Sequence, residues 1–131
     1  MRIYLAGGLK NDWQEEATHL LRDKDPEIDV LNPRVFQSRN LSIEEIADIE
    51  REWILNADVV LAFLEKDNPL PMGLCAELGF ANALGKKTLL VDEYKNHKSK
   101  WLAQFTESDV YSSLSEAINA LFNCHQFLTK N

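Results

Sequence analysis

Two glutamates stand where the apolar pattern leaves no obvious place for charge. The stretch GLCAELGFA (73–81) is small, apolar or glycine at every position except Glu77. Helical spacing sets Leu74, Glu77, Ala81 and Leu84 on one side, with Cys75 and Leu78 extending that surface. The Glu77 carboxylate therefore points inward or toward a cleft rim. The second case lies over 43–57, where Ile43, Ile46, Ala47, Ile54 and Ala57 form a stripe that Glu50 interrupts. Burying an unpaired carboxylate is expensive, so each needs a partner, a wet cleft or a task. A purely structural account exists for each one: a glutamate near a helix start is favoured by the dipole, and Glu50 can pair with Arg2, Arg34 or a backbone amide. Taken together, two carboxylates at one cleft suit glycosyl transfer. One attacks an anomeric carbon and forms an ester, while another acidic group handles protons or holds the sugar. The helix start is expected to keep Glu77 ionised, and so nucleophilic.

Something must bring these residues together, and the chain alternates strand and helix patterns throughout. RIYLA (2–6) reads as a short buried strand broken by Gly7-Gly8. Asn11 and Asp12, with Gln14 and Glu15 three residues after each, signal a helix that ends before Pro26. IDVLN (28–32) is a second strand, followed by a polar loop to Leu41. Ser42 and Glu45 form a capping box for a helix to about Asn56. DVVLAFL (58–64) is the most apolar strand and belongs at the centre. EKDNPLPM (65–72) cannot be regular, because two prolines interrupt it. A helix over 73–84 with Gly85 as its cap leads to a fourth strand, KTLLV (87–91). Residues 92–108 are a polar excursion with a short helix near Trp101. A weak strand at Val110–Tyr111 precedes a last helix from Ser113, capped with Glu116, whose core face is Leu114, Ile118, Leu121 and Phe122. Such alternation implies right-handed βαβ units in an α/β, flavodoxin- or Rossmann-like three-layer sandwich. The expectation is a five-stranded parallel sheet of order 2-1-3-4-5, with residues 1–131 forming one domain. Ligands of such sheets sit beyond the carboxyl ends of the strands at the switch point between strands 1 and 3. The Gly7-Gly8 turn, the 65–72 loop and the start of the Glu77 helix all converge there.

Composition narrows the classes further. A hydrophobic fraction of 45% and a charged fraction of 27% suit a soluble globular domain. The formal net charge of −7 argues against a nucleic-acid polymer as partner. No apolar run reaches the ~20 residues of a membrane span, and MRIYLAGGL lacks the run of a signal peptide. Cys75 and Cys124 read as reduced packing residues of a cytoplasmic protein, and His19, His97 and His125 are too scattered for a metal site. The G-x-G-x-x-G, G-x-x-x-x-G-K-[ST] and G-x-S-x-G patterns are absent, which counts against dinucleotide enzymes, P-loop kinases and serine hydrolases. Trp13 and Trp53 are core residues or base-stacking platforms. Tyr4 packs mid-strand, and its hydroxyl needs a partner such as a cleft carboxylate.

Several segments resemble one known family. GLCAELGFA is similar to the nucleophile motif of the nucleoside 2-deoxyribosyltransferases, in which a glycine-rich approach leads to E-L-G-[YF]-A and the glutamate attacks C1′ of deoxyribose. The match falls on Glu77, with Gly73 in the approach. IYLAGG (3–8) resembles the opening strand of that family, whose tyrosine, here Tyr4, orients the nucleophile. EREWILNADVVLAFL (50–64) resembles the segment with an aspartate eight residues before the end of N-A-D, a place held here by Glu50. Related deoxyribonucleotide N-glycosidases share this architecture, including a similar E-W-x-x-x-A-D stretch. VLNPR (30–34) and Trp13 in its D-W-Q context resemble a short branch of the superfamily. The similarity runs over roughly residues 1–92. The chain departs from the pattern six residues before the glutamate, where an aspartate or serine gives way to Pro71, with Asp67 or Asn68 as substitutes.

The resemblance implies an enzyme needing no metal or organic cofactor. Its partners would be a nucleoside or nucleotide and a nucleobase, bound near Gly7 and Gly8 with Trp13 or Phe36 as a base wall. Glu77 forms a glycosyl ester, and Glu50 and Tyr4 hold the sugar hydroxyls and Glu77 itself. A second base then accepts the sugar. One alternative is an N-glycosidase of nucleoside 5′-monophosphates, for which Lys10, Arg34, Arg39 and the glycine amides are the phosphate donors. The other is a binding domain that has lost the chemistry. Family members complete their site from a neighbouring subunit, with Asn96, Ser99 or Asn119 as candidates here, so a homodimer or higher homo-oligomer is expected.

Overall fold

The computed structural model describes residues 1–9, 11–66, 71–93 and 97–129, with only the backbone for 97, 98 and 124–129. Its strands are β1 (Arg2–Gly7), β2 (Asp29–Leu31), β3 (Val59–Leu64), β4 (Lys87–Asp92) and β5 (Asp109–Tyr111). The helices are α1 (Trp13–Lys24), α2 (Ile43–Asn56), α3 (Met72–Ala83), α4 (His97–Phe105) and α5 (Leu114–Thr129). All strand pairs are parallel, in the order β2-β1-β3-β4-β5. The expected α/β fold and strand order are thus present.

The strand chemistry explains the layering. Side chains alternate across a sheet, so β1 and β3 each feed two cores. Ile3, Leu5, Leu61 and Phe63 join Trp13, Ala17 and Leu21 of α1 and Leu114, Ile118 and Leu121 of α5 on one face. Tyr4, Ala6, Val60 and Ala62 join Ile54, Leu74, Leu78, Ala81 and Leu102 from α2, α3 and α4 on the other. The central strands are buried on both faces, which is why VVLAF reads as a continuous apolar run. Register places Tyr4 beside Val60 and Gly7 beside Phe63, so β1 and β3 end together at one edge of the sheet.

Local signals were realised unevenly. The Ser42–Glu45 capping box of α2 forms in both directions. Gly85 follows α3 with φ +75, a conformation that glycine adopts without strain. Asp12 caps α1 through its backbone only, because its carboxylate is drawn away to Arg34. At α5, Ser113 Oγ accepts from the Glu116 N–H, but the Glu116 carboxylate turns to the Ser112 N–H. The loop expected over 33–41 contains a 3-10 helix, Pro33–Ser38, capped by Asn32, whose side chain accepts from the Arg34 N–H at 3.0 Å. Asn followed by Pro at the first helical position is the signal for it. The apolar stripe of α2 enters the core only at its C-terminal end: Ile54 is 2% exposed, while Ile43 is 82% exposed. Cys75 is exposed rather than a packing residue, and Leu84 is exposed too.

Candidate active site

Three elements meet at the carboxyl end of the sheet and bring Tyr4, Glu50 and Glu77 together. Tyr4 is fully buried in β1 with its ring against α2 and α3. Its hydroxyl donates to Glu50 Oε2 at 3.0 Å. The Glu77 carboxyl is its second acidic neighbour. Glu50 therefore finds its partner in Tyr4. Arg2 is engaged with Asp29 instead, and Arg34 with Asp12. Glu77 Oε2 is buried and accepts no hydrogen bond among the described residues. Such an oxygen is costly to leave without a partner.

The electrostatics follow from this crowding. Burial pushes the Glu77 carboxyl up to about 7; the Tyr4 hydroxyl opposes the rise and the Glu50 charge adds to it. Burial likewise raises Glu50, again against the Tyr4 bond. Tyr4 is driven far above the ordinary phenol value, first by burial and then by Glu77 and Glu50, so it stays protonated and remains a donor. The expectation that the helix start would hold Glu77 ionised is not met. Glu77 is the sixth residue of α3, beyond the first turn where the dipole acts, and desolvation outweighs it.

Glu50 and Glu77 line a cavity of about 190 Å³ together with Gly7, Leu9, Pro33, Phe36, Gln37 and Ile46. Phe36 is 5% exposed and leans on Trp53 at 4.9 Å between ring centroids. A larger pocket of about 520 Å³ lies toward α1, between Trp13, Phe63, Lys66 and Glu93. It holds neither Glu50 nor Glu77, so size does not locate the chemistry here.

The other sequence-derived candidates are placed as follows. Gly7 lines the cavity at φ +154, and a Cβ there would stand 2.7 Å from the Phe63 carbonyl and 2.8 Å from the Trp13 ring. Gly8 directs its carbonyl to the Trp13 indole N–H at 3.0 Å and the Gln14 amide at 2.8 Å. Trp13 stacks on Phe63 at 5.1 Å beneath the glycine turn and borders the larger pocket, apart from the carboxylate pair. A Cβ on Gly73 would lie 3.7 Å from Glu77 Oε1, so this glycine borders the carboxylate. Arg34 does not line the cavity; its guanidinium faces the 9–14 segment. Asp67 and Asn68 lie outside the described residues, as do Lys10 and Asn96. Ser99 hydrogen-bonds buried Asp92 at the end of β4.

Sequence reasoning missed Leu9, Pro33, Gln37 and Ile46 as cavity walls. Pro33 and Gln37 arrive there through the unforeseen 3-10 helix. Glu65 was missed as well. It is 1% exposed just after β3, and its Oε2 accepts from the Asn11 N–H at 2.8 Å.

The family model described as "nucleoside 2-deoxyribosyltransferase like" matches residues 1–95. The chain belongs to that family. The matched span contains Tyr4, Glu50 and Glu77 and every element from β1 to β4. Membership places the protein among enzymes of the nucleoside 2-deoxyribosyltransferase kind. Two solved structures share this family member's fold. A 2-deoxyribosyltransferase from Leishmania mexicana is 22% identical with a TM-score of 0.67, over 95% of this chain and 98% of that one. The CMP N-glycosidase of Clostridium botulinum is 20% identical with a TM-score of 0.65, over 92% and 98%. A search of curated proteins finds no match. No described helix of this family member is long and apolar enough to cross a membrane.

Proposed function

We propose that this family member cleaves the N-glycosidic bond of a 2′-deoxynucleoside through a glycosyl ester on Glu77 and passes the sugar to a second nucleobase. The carrying observation is the buried, unpartnered Oε2 of Glu77 beside the Tyr4–Glu50 pair. The ionised carboxylate attacks C1′; the C1′–O bond forms as the C1′–N bond breaks, and the electron pair leaves on the base, which takes up a proton. The acceptor base then attacks C1′ through nitrogen, gives up an equivalent proton and expels the carboxylate. Protons balance over the exchange, so no net acid is needed. Tyr4 stays a donor throughout, steadying both carboxylates, and Glu50 holds a sugar hydroxyl.

Transfer is favoured over hydrolysis by the apolar share of the lining: Leu9, Pro33, Phe36 and Ile46 exclude water from the ester. A free nucleoside is favoured over a 5′-phosphate because no described cation lines the cavity. At about 190 Å³ the cavity is smaller than the ~300 Å³ of common ligand pockets, which suits a sugar held inside and a base at the mouth beside Phe36.

We further infer that the protein self-associates. Ile43, Met72, Trp101 and Phe105 are exposed on the α2–α3–α4 layer, with the last two rings stacked at 5.0 Å.

The test is chromatography of a panel of nucleosides, free and 5′-phosphorylated, with and without an acceptor base, alongside Glu77→Ala. A new nucleoside that needs both acceptor and Glu77 is the expected result. Free base released equally without acceptor would replace the transferase with a glycosidase.

A further inference from the structure

We propose that Arg34 is a positioning residue that ties the loop after β1 to the 3-10 helix, fixing two parts of the cavity wall relative to each other, and that it does not bind substrate. The inference rests on the reading that this cavity holds the nucleoside.

Both terminal nitrogens of the guanidinium are engaged. Nη1 donates to the Leu9 carbonyl at 3.3 Å, the Asn11 carbonyl at 2.8 Å and Gln14 Oε1 at 3.4 Å. Nη2 donates to Asp12 Oδ1 at 3.0 Å. Gln14, itself 1% exposed, relays the hold by donating to the Gly8 carbonyl at 2.8 Å. The loop carbonyls of residues 8, 9 and 11 are thus taken by side chains, and Glu65 holds the Asn11 N–H from the other side. Backbone groups satisfied this way leave the loop little reason to move.

The clamp matters because of what stands at its two ends. Gly7 and Leu9 belong to the held segment and line the Glu77 cavity. Pro33, Phe36 and Gln37 flank Arg34 in the 3-10 helix and line the same cavity. Arg34 spans the two without lining the cavity itself. Glu77 and Glu50 are set independently, by α3, α2 and Tyr4. Loss of the clamp therefore loosens contacts to the bound ligand and leaves the reacting carboxylate in place. A lysine has no planar fork and cannot span this set of acceptors.

The experiment compares wild type, Arg34→Ala and Arg34→Lys in base-exchange kinetics with free and 5′-phosphorylated nucleosides, and in amide hydrogen exchange. Both variants are expected to raise KM about tenfold while kcat stays within about twofold, by the same factor for either nucleoside. Exchange is expected to quicken in the 7–12 segment and not in β3 or β4. Rescue by lysine, a loss confined to phosphorylated substrates, or a fall in kcat at constant KM would each overturn the assignment. Should the wild type turn over no nucleoside, the exchange data still decide. Quickening limited to 7–12 upholds the clamp while the catalytic reading falls, and unchanged exchange removes the clamp. If the alanine variant does not fold, the lysine variant carries the comparison.

Discussion

On the proposed mechanism Glu77 has to be ionised to attack, yet its surroundings raise its carboxyl to about 7. The activity of Glu77 is therefore expected to climb as pH rises through about 7, with the slope of one proton lost, in a pH–kcat/KM profile. Tyr4→Phe removes the hydroxyl that lowers the Glu77 value, so the rising limb should move to higher pH and the plateau should fall about tenfold to a hundredfold. A limb that stays in place would show that Tyr4 does not act on Glu77. The same burial has a cost in stability. Unfolded, the carboxyl titrates near 4.5; folded, it titrates near 7. Between those values only the unfolded state has lost its proton, so stability falls as pH rises from 4.5 to 7 and is flat above. Glu77→Gln should thus stabilise the fold by up to about 3 kcal/mol at pH 8 and little at pH 4, read from urea midpoints, while turnover drops at least about a thousandfold. The two glutamates were legible as sequence because each interrupts an apolar helical face. The elevated Glu77 value was not, because it depends on how deeply α3 is packed. The commitment of Arg34 was not legible either, since two of its four acceptors are backbone carbonyls, which no residue code reveals.

At the scale of elements, the strand–helix alternation was readable because the inner residues of β1, β3 and β4 are buried and form apolar runs, IYLA, VVLAF and LLV. The 3-10 helix was misread as loop, because six residues cannot display a period. Two substitutions probe how the elements position the site. Gly7→Ala would press a methyl into the Phe63 carbonyl, which belongs to the sheet and cannot yield, and into the Trp13 ring. A loss of about 2–3 kcal/mol is expected in denaturant unfolding. Ser42→Ala removes half of the α2 capping box and should cost about 1 kcal/mol. Glu50 lies two turns further on, so activity should survive that change; a matching loss of activity would mean that the start of α2 is part of the working site.

For the whole molecule, the two helical layers differ. No large apolar residue of α1 is exposed, whereas α2, α3 and α4 present Ile43, Met72, Trp101 and Phe105. Wild type is expected to sediment above its monomer mass of 15.0 kDa, and Trp101→Glu with Phe105→Glu to return it toward that mass. A wild type that sediments as monomer at micromolar concentration would remove the self-association proposal. The parallel sheet also dictates an order of assembly. β1 leaves the ribosome well before β3, yet it pairs with β3 across more than fifty intervening residues. Long-range pairing of this kind forms slowly, because the chain must close a large loop before any contact rewards it. Tyr4 therefore emerges first and waits for Glu50 and Glu77. On the proposed mechanism, no nascent chain can carry the working trio until α3 has left the exit tunnel, so activity would begin only when the sheet closes.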